Sequence, residues 1–119
     1  MWPRIAELFL AAWLAASPWV IPAPAGDEAS LRTHALAGAA FIALFALLSF
    51  RAAWEKAHLL SLAPALWIIG VAFLQPDPPP AAAYQNFVVT GLTLLLFVIL
   101  PSRASESPRA WREYWREKA

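Results

Sequence analysis

Cysteine is absent from the 119 residues, which excludes disulfides, thiolate metal sites and thiol redox chemistry for this chain. Charge is scarce as well. Only 14% of residues are Asp, Glu, Lys or Arg, against roughly a quarter in soluble domains. With 61% of residues hydrophobic and a mean hydropathy of +0.54, the polar side chains are too few to cover a soluble globule. Lipid is therefore the expected solvent, and one small membrane domain the expected organisation. Ionisable residues are also missing from the middle of every apolar run. Intramembrane charges usually mark ion and proton paths, so their scarcity argues against a pump or coupled transporter. Glu7 is the nearest exception, and its i+3 spacing from Arg4 points to a local ion pair.

What is present is four apolar runs, at about residues 5–20, 31–50, 58–74 and 84–100. Each approaches the ~20 residues a helix needs to cross a hydrocarbon core. Helices are expected because lipid leaves backbone groups to be satisfied within the segment. Prolines 22 and 24 with Gly26 break the chain after the first run, and Pro-Asp-Pro-Pro-Pro at 76–80 breaks it after the third. Pro64, inside the third run, predicts a kink there. Trp13 and Trp67 are deep for interfacial tryptophans and are expected to pack between helices. Arg4, Arg51, Lys56, Arg103, Arg109, Arg112, Arg116 and Lys118 fall on one side of a four-span chain, and Arg32 alone on the other. The positive-inside rule then places both termini and the central loop in the cytoplasm. Asp27, Glu28 and Asp77 face outward on the two proline-rich loops.

Sliding the chain by 53 residues sets Gly38 on Gly91 and Ser17 on Gly70. HALAGAAFIALFALLS at 34–49 then lies against FVVTGLTLLLFVILPS at 87–102. Each half is a helix, an outer loop and a second helix with an early glycine, giving a parallel repeat about an axis along the membrane normal. The repeat also bears on Ala23-Pro24-Ala25, which reads as a signal-peptide cleavage site. The first helix has a counterpart at 58–74 that cannot be a signal peptide, so retention is expected.

Ser17-Pro18-Trp19, followed by an outer loop and a glycine-bearing second span, resembles the SPW repeat family of small bacterial membrane proteins. Asn86 before Gly91 matches the polar residue of that pattern, where the first half has Thr33, and the second half replaces the triplet with Gly70-Val71-Ala72. The likeness covers about residues 5–101. It implies two helix-pair repeats in a bacterial inner membrane and carries no activity with it.

The candidate sites are correspondingly modest. Ser17 has no nearby His or carboxylate in sequence to activate it as a nucleophile. Trp19 suits headgroup depth. His34 and His58 begin successive spans on opposite sides, about 25 Å apart at ~1.5 Å per residue, too far to ligate one haem iron. Each reads as an interfacial imidazole bonded to water or headgroups; no cofactor or metal is expected. Ala12 and Ala16, and Ala35, Ala39 and Ala43, recur at four-residue spacing with Gly38 and Ala46 nearby, a pattern that lets helices approach closely. In PRAWREYWREKA at 108–119, Trp111, Trp115 and Lys118 share one helical stripe with Tyr114 beside it, and Arg109, Arg112 and Arg116 form a second row. Ser107 suits the N-cap and Pro108 the first turn. This predicts an amphipathic helix in the cytoplasmic interface, touching anionic lipid or docking on a protein; Glu113 and Glu117 dilute the charge that nucleic acid would need.

The expectation is thus an all-α integral membrane four-helix bundle: two parallel helix-pair repeats (about 5–50 and 58–101) within residues 1–103, and an interfacial tail at 104–119. It predicts a non-enzymatic structural or accessory protein that packs with itself or with a larger membrane complex. The alternative is a small transporter or channel component using the outer loops and Ser61, Thr90 and Thr93.

Overall fold

The computed structural model describes residues 2–75, 81–100 and 109–118. Within them the regular structure is all helical, with five α-helices and no strand: α1 Trp2–Val20, α2 Glu28–Leu48, α3 Leu62–Phe73, α4 Ala82–Val98 and α5 Arg109–Lys118. Two 3-10 turns, Ala52–Trp54 and Ala57–Ser61, join α2 to α3. The loop with Asp77, Ser107 and Pro108, and Arg103 lie outside the described residues.

The element boundaries follow local chemistry. Pro3 occupies the first turn of α1, where its missing N–H costs nothing. Beyond Val20, Pro22 and Pro24 prevent helical continuation, and Gly26 reverses the chain at φ +88°, a conformation open to glycine without a Cβ clash. Asp27 stands at the N-cap of α2 but makes no side-chain capping bond. Its carboxylate instead accepts a 2.7 Å hydrogen bond from the Tyr84 hydroxyl at the start of α4. The third apolar run departs from expectation. It opens as the 3-10 turn Ala57–Ser61, which runs directly into α3, so Pro64 stands just past the change from 3-10 to α-helix. Its missing N–H falls at that junction, where the helix changes pitch.

α1 packs against α2 and α4, and α3 packs against α4 and α2. Leu14, Leu31, Ala35, Ile42, Ala65, Ile68, Phe87 and Leu94 fill the space between them. On α1 the buried stripe is Arg4, Glu7, Ala11, Leu14 and Ser17. Ala12 and Ala16 lie one position off that stripe and are exposed, so they are not the contact face their spacing suggested. Ala35 and Ala39 are buried in α2, as is Ala46, and Ala43 is partly buried.

Burial also compares the two halves directly. Arg4, Glu7, Ala11 and Leu14 have the same pattern as His58, Ser61, Ala65 and Ile68, an offset of 54. Leu31, Ala35, Gly38, Ala39, Ile42 and Ala46 match Ala83, Phe87, Thr90, Gly91, Leu94 and Val98, an offset of 52. The single offset of 53 is the mean of these two. It is one residue out in each helix because the chain between the paired helices differs in length. Gly91 corresponds by burial to Ala39, not to Gly38.

Among the described residues, α2 is the one helix both long and apolar enough to cross a membrane by length and composition; Ala57–Phe73 and Ala82–Val98 are shorter apolar segments.

Candidate functional site: a buried polar layer at one end

α1 and α3 begin where α2 and α4 finish, and that end is polar inside. Arg4 and Glu7 of α1 are both 0% exposed, and Ser49, His58 and Ser61 are buried beside them. The last carbonyls of a helix have no intrahelical donor and carry partial negative charge. Here they are met by side chains. Arg4 Nη2 donates to the Phe97 carbonyl at 2.6 Å and to the Leu100 carbonyl at 2.8 Å. His58 Nδ1 donates to the Val98 carbonyl at 2.9 Å. The end of α4 is therefore capped by a cation from α1 and an imidazole from the turn before α3.

Glu7 Oε1 lies 3.1 Å from the same Arg4 Nη2, the i+3 pair its spacing suggested. Nη2 has only two protons and both are given to α4, so Glu7 is held by charge and not by a third hydrogen bond. Arg4 Nε and Nη1, both Glu7 oxygens and Ser61 Oγ have no hydrogen-bond partner among the described groups. Ser49 Oγ accepts the backbone N–H of His58 at 2.6 Å and donates to the Phe45 carbonyl at 3.0 Å. Ser49 thus meets the amide of His58 and not its ring, so this Ser–His contact is not a nucleophile and its base. Among the described residues no three His, Cys, Asp or Glu side chains are grouped to hold a metal.

Toward the opposite end, two indoles reach from one helix pair to the other. Trp13 Nε1 donates to Asn86 Oδ1 on α4 at 2.8 Å, and Trp67 Nε1 donates to His34 Nδ1 on α2 at 3.0 Å. The offsets of 54 and 52 map Trp13 onto Trp67 and His34 onto Asn86, so these are the same contact made twice. Both rings are exposed, which corrects the expectation that they pack between helices. An indole offers a broad apolar face and a single donor, and the neighbouring helix takes the donor. His34 is likewise not left to water or headgroups, since Trp67 occupies its Nδ1.

Ser17 and Pro18 line one small cleft with Leu31, Asn86 and Phe87. Ser17 Oγ donates back to the Leu14 carbonyl at 2.8 Å. Trp19 is exposed and takes the Arg32 guanidinium 5.4 Å from its ring centroid. Gly38 sits against Leu14 and Ile68, and Gly91 against Ile69 and the Ala65 carbonyl. The family model of the SPW repeat domain matches residues 1–101. The chain belongs to the SPW repeat family. No curated protein and no solved structure matches it.

Of the SPW motif positions, the structure brings Ser17, Pro18 and Asn86 together and turns Trp19 away from them. Sequence reasoning missed the layer of Arg4, Ser49, His58 and Ser61 in this SPW repeat protein. Arg4 precedes the apolar run and reads as a loop charge. The available signal was its spacing: Arg4, Glu7, Ala11 and Leu14 keep the three-and-four rhythm of one helix face.

Proposed function

We propose that the chain is a multi-pass protein of a bacterial inner membrane, a four-helix bundle of two helix-pair repeats with both ends cytoplasmic. It acts without catalysis, as a structural or accessory subunit that packs with itself or with a larger membrane complex. The observation that carries this reading is an inverted distribution of polarity. Phe9, Trp67, Phe73, Leu74, Val89 and Leu96 are outward-facing, Phe73 and Leu74 at 75% and 82% exposure, while Arg4, Glu7, His58 and Thr90 are buried. Water would penalise that arrangement at about 25 cal/mol per Å² of apolar surface, and lipid does not. The two indole bonds fit the same setting, because polar contacts between helices substitute for a missing hydrophobic gradient.

A transporter would use a polar path through the bundle. The polar layer sits at one end, and beyond it Leu14, Ile42, Ile68, Phe87 and Leu94 form an apolar interior. Ser17 and Thr90, buried further along, bond to Leu14 and Asn86 within their own helices.

Two measurements test the proposal. Single cysteines at Glu28 and Lys56 in the cysteine-free chain should react with an impermeant maleimide from outside at Glu28 only. Native gels of mild-detergent extracts should show the protein in an assembly larger than one protomer. A solely monomeric species would remove the accessory reading, and outside labelling at Lys56 would remove the topology.

A further inference from the structure

Each indole bond leaves a spare donor behind it. An indole N–H can only donate, so the Trp67 bond fixes His34 with its lone pair on Nδ1 and its proton on Nε2. Asn86 Oδ1 takes the Trp13 indole and the Thr90 hydroxyl, and the amide nitrogen keeps both its protons. His34 Nε2 and Asn86 Nδ2 make no hydrogen bond to another described group; both residues are half-buried, and both nitrogens reach the surface. The indoles beside them are exposed too, Trp13 at 41% and Trp67 at 59%. The cleft around Asn86 is otherwise apolar or already satisfied. Pro18 has no N–H for the Leu14 carbonyl, and Ser17 Oγ donates there instead. Each seam between the helix pairs, α1 with α4 and α3 with α2, thus presents a neutral donor beside an exposed indole.

We propose that these two notches bind phospholipid of the outer leaflet, a glycerol ester carbonyl accepting from Asn86 Nδ2 at one seam and from His34 Nε2 at the other. A donor facing lipid without an acceptor is costly, and depth and chemistry select this one. At ~1.5 Å per residue, Trp13, His34, Trp67 and Asn86 lie about 6 to 11 Å inside the outer ends of their helices. The polar layer flanking a ~30 Å hydrocarbon core is about 5 to 7 Å thick. Helices ending at its outer margin bring the donors to its inner one, where acyl chains join glycerol and tryptophan gathers. Arg32, the one Lys or Arg on the outer side, lies over Trp19, so neither notch offers a phosphate its charge. The repeat sets the seams on opposite sides of the bundle, where a single partner helix would meet one and the surrounding lipid meets both. This rests on the membrane reading above and adds which part of the lipid the protein recognises.

NMR of the full chain in lipid nanodiscs tests it. Ester-linked phosphatidylcholine is compared with the ether-linked analogue of the same headgroup and chain length, which lacks the carbonyl. The Asn86 side-chain amide and His34 Nε2 protons should lie downfield in the ester lipid and move upfield together in the ether lipid. Asn86→Asp keeps an oxygen for Trp13 and loses the amide donor, so it should remove one response and retain that of His34. Amide exchange of α2 in the same discs is the reference. Donor shifts that are equal in the two lipids, beside a protected α2, overturn this proposal and leave the membrane reading standing. Shifts that ignore the linkage and follow a change of headgroup also overturn it, in favour of phosphate. An α2 that exchanges freely in discs defeats the membrane reading itself.

Discussion

Arg4 does three things through one nitrogen: it accepts the charge of Glu7 and closes the carbonyls of Phe97 and Leu100. Arg4→Leu leaves Glu7 and the Leu100 carbonyl without this partner in a buried layer, while the Phe97 carbonyl keeps its 3.2 Å bond from the Leu100 N–H. Removing one member of a buried pair costs roughly 3 to 5 kcal/mol, because the other charge stays behind without compensation. Thermal melting in detergent should show that loss, and adding Glu7→Leu should recover part of it by removing the stranded carboxylate. A double variant no better than Arg4→Leu alone would mean that the capping of α4, and not the ion pair, carries the whole effect. The glycines allow a graded test on the same scale. A Cβ at Gly91 would meet Ile69 Cγ1 at 2.5 Å and the Ala65 carbonyl at 3.1 Å, and the backbone oxygen cannot yield as a side chain can. At Gly38 the nearest atoms are side chains at 3.3 and 3.4 Å, and at Gly70 nothing lies within 4 Å. Gly91→Ala should cost roughly 1 to 3 kcal/mol by overpacking. Gly38→Ala should cost less, and Gly70→Ala should gain up to about 1 kcal/mol of helix propensity. Any other order of melting temperatures would place the closest helix approach elsewhere.

Helices are held to one another by contacts that occur twice, and equivalence makes a sharper claim than either contact alone. Trp13→Phe and Trp67→Phe each keep a ring and lose one donor bond, to Asn86 and His34 respectively. In a bilayer such bonds average about 0.6 kcal/mol and reach about 1.7. The two variants should therefore destabilise by similar small amounts, and Trp13→Phe should have no further effect in an Asn86→Leu background. Ala39, buried in α2 where Gly91 stands in α4, makes the complementary point: Ala39→Leu should overpack the contact by roughly 1 to 3 kcal/mol. The apolar runs made the α-helices legible in sequence, and small residues at four-residue spacing picked out the buried face of α2. The same spacing misled on α1, where Ala12 and Ala16 are exposed, because alanine is small enough to satisfy either side of a helix. The 3-10 opening before α3 left no sequence mark, since it depends on Ser49 receiving the His58 amide from another helix. The cap on α4 was hidden for the same reason: Arg4 and Phe97 lie 93 residues apart.

For the whole molecule, the halves are tied in both directions. Arg4 and Trp13 reach from the first helix pair to α4, while Trp67 and His58 reach from the second half to His34 and Ser49. Burying Arg4 also changes the orientation argument, because this cation caps a helix inside the protein and does not face headgroups. The Lys and Arg count still stands at seven to one without it. The chain joining the halves contains the exposed residues Arg51, Ala52, Ala53 and Trp54 and a short 3-10 turn. Apolar helices that satisfy their own backbone in lipid can insert first and associate afterwards, so a break in such a connection need not prevent assembly. Cutting the gene between Glu55 and Lys56 should then give two helix pairs that co-purify when co-expressed with a tag on one of them. Arg4→Leu in the first half should lower recovery of the second, and Trp67→Phe should lower it less, because a buried cation is lost in one case and a single neutral donor in the other. Equal recovery of unmutated and Arg4→Leu halves would show that the apolar contacts of Leu14, Ile68 and Phe87 suffice, and that the polar layer adds nothing to the union of the two halves.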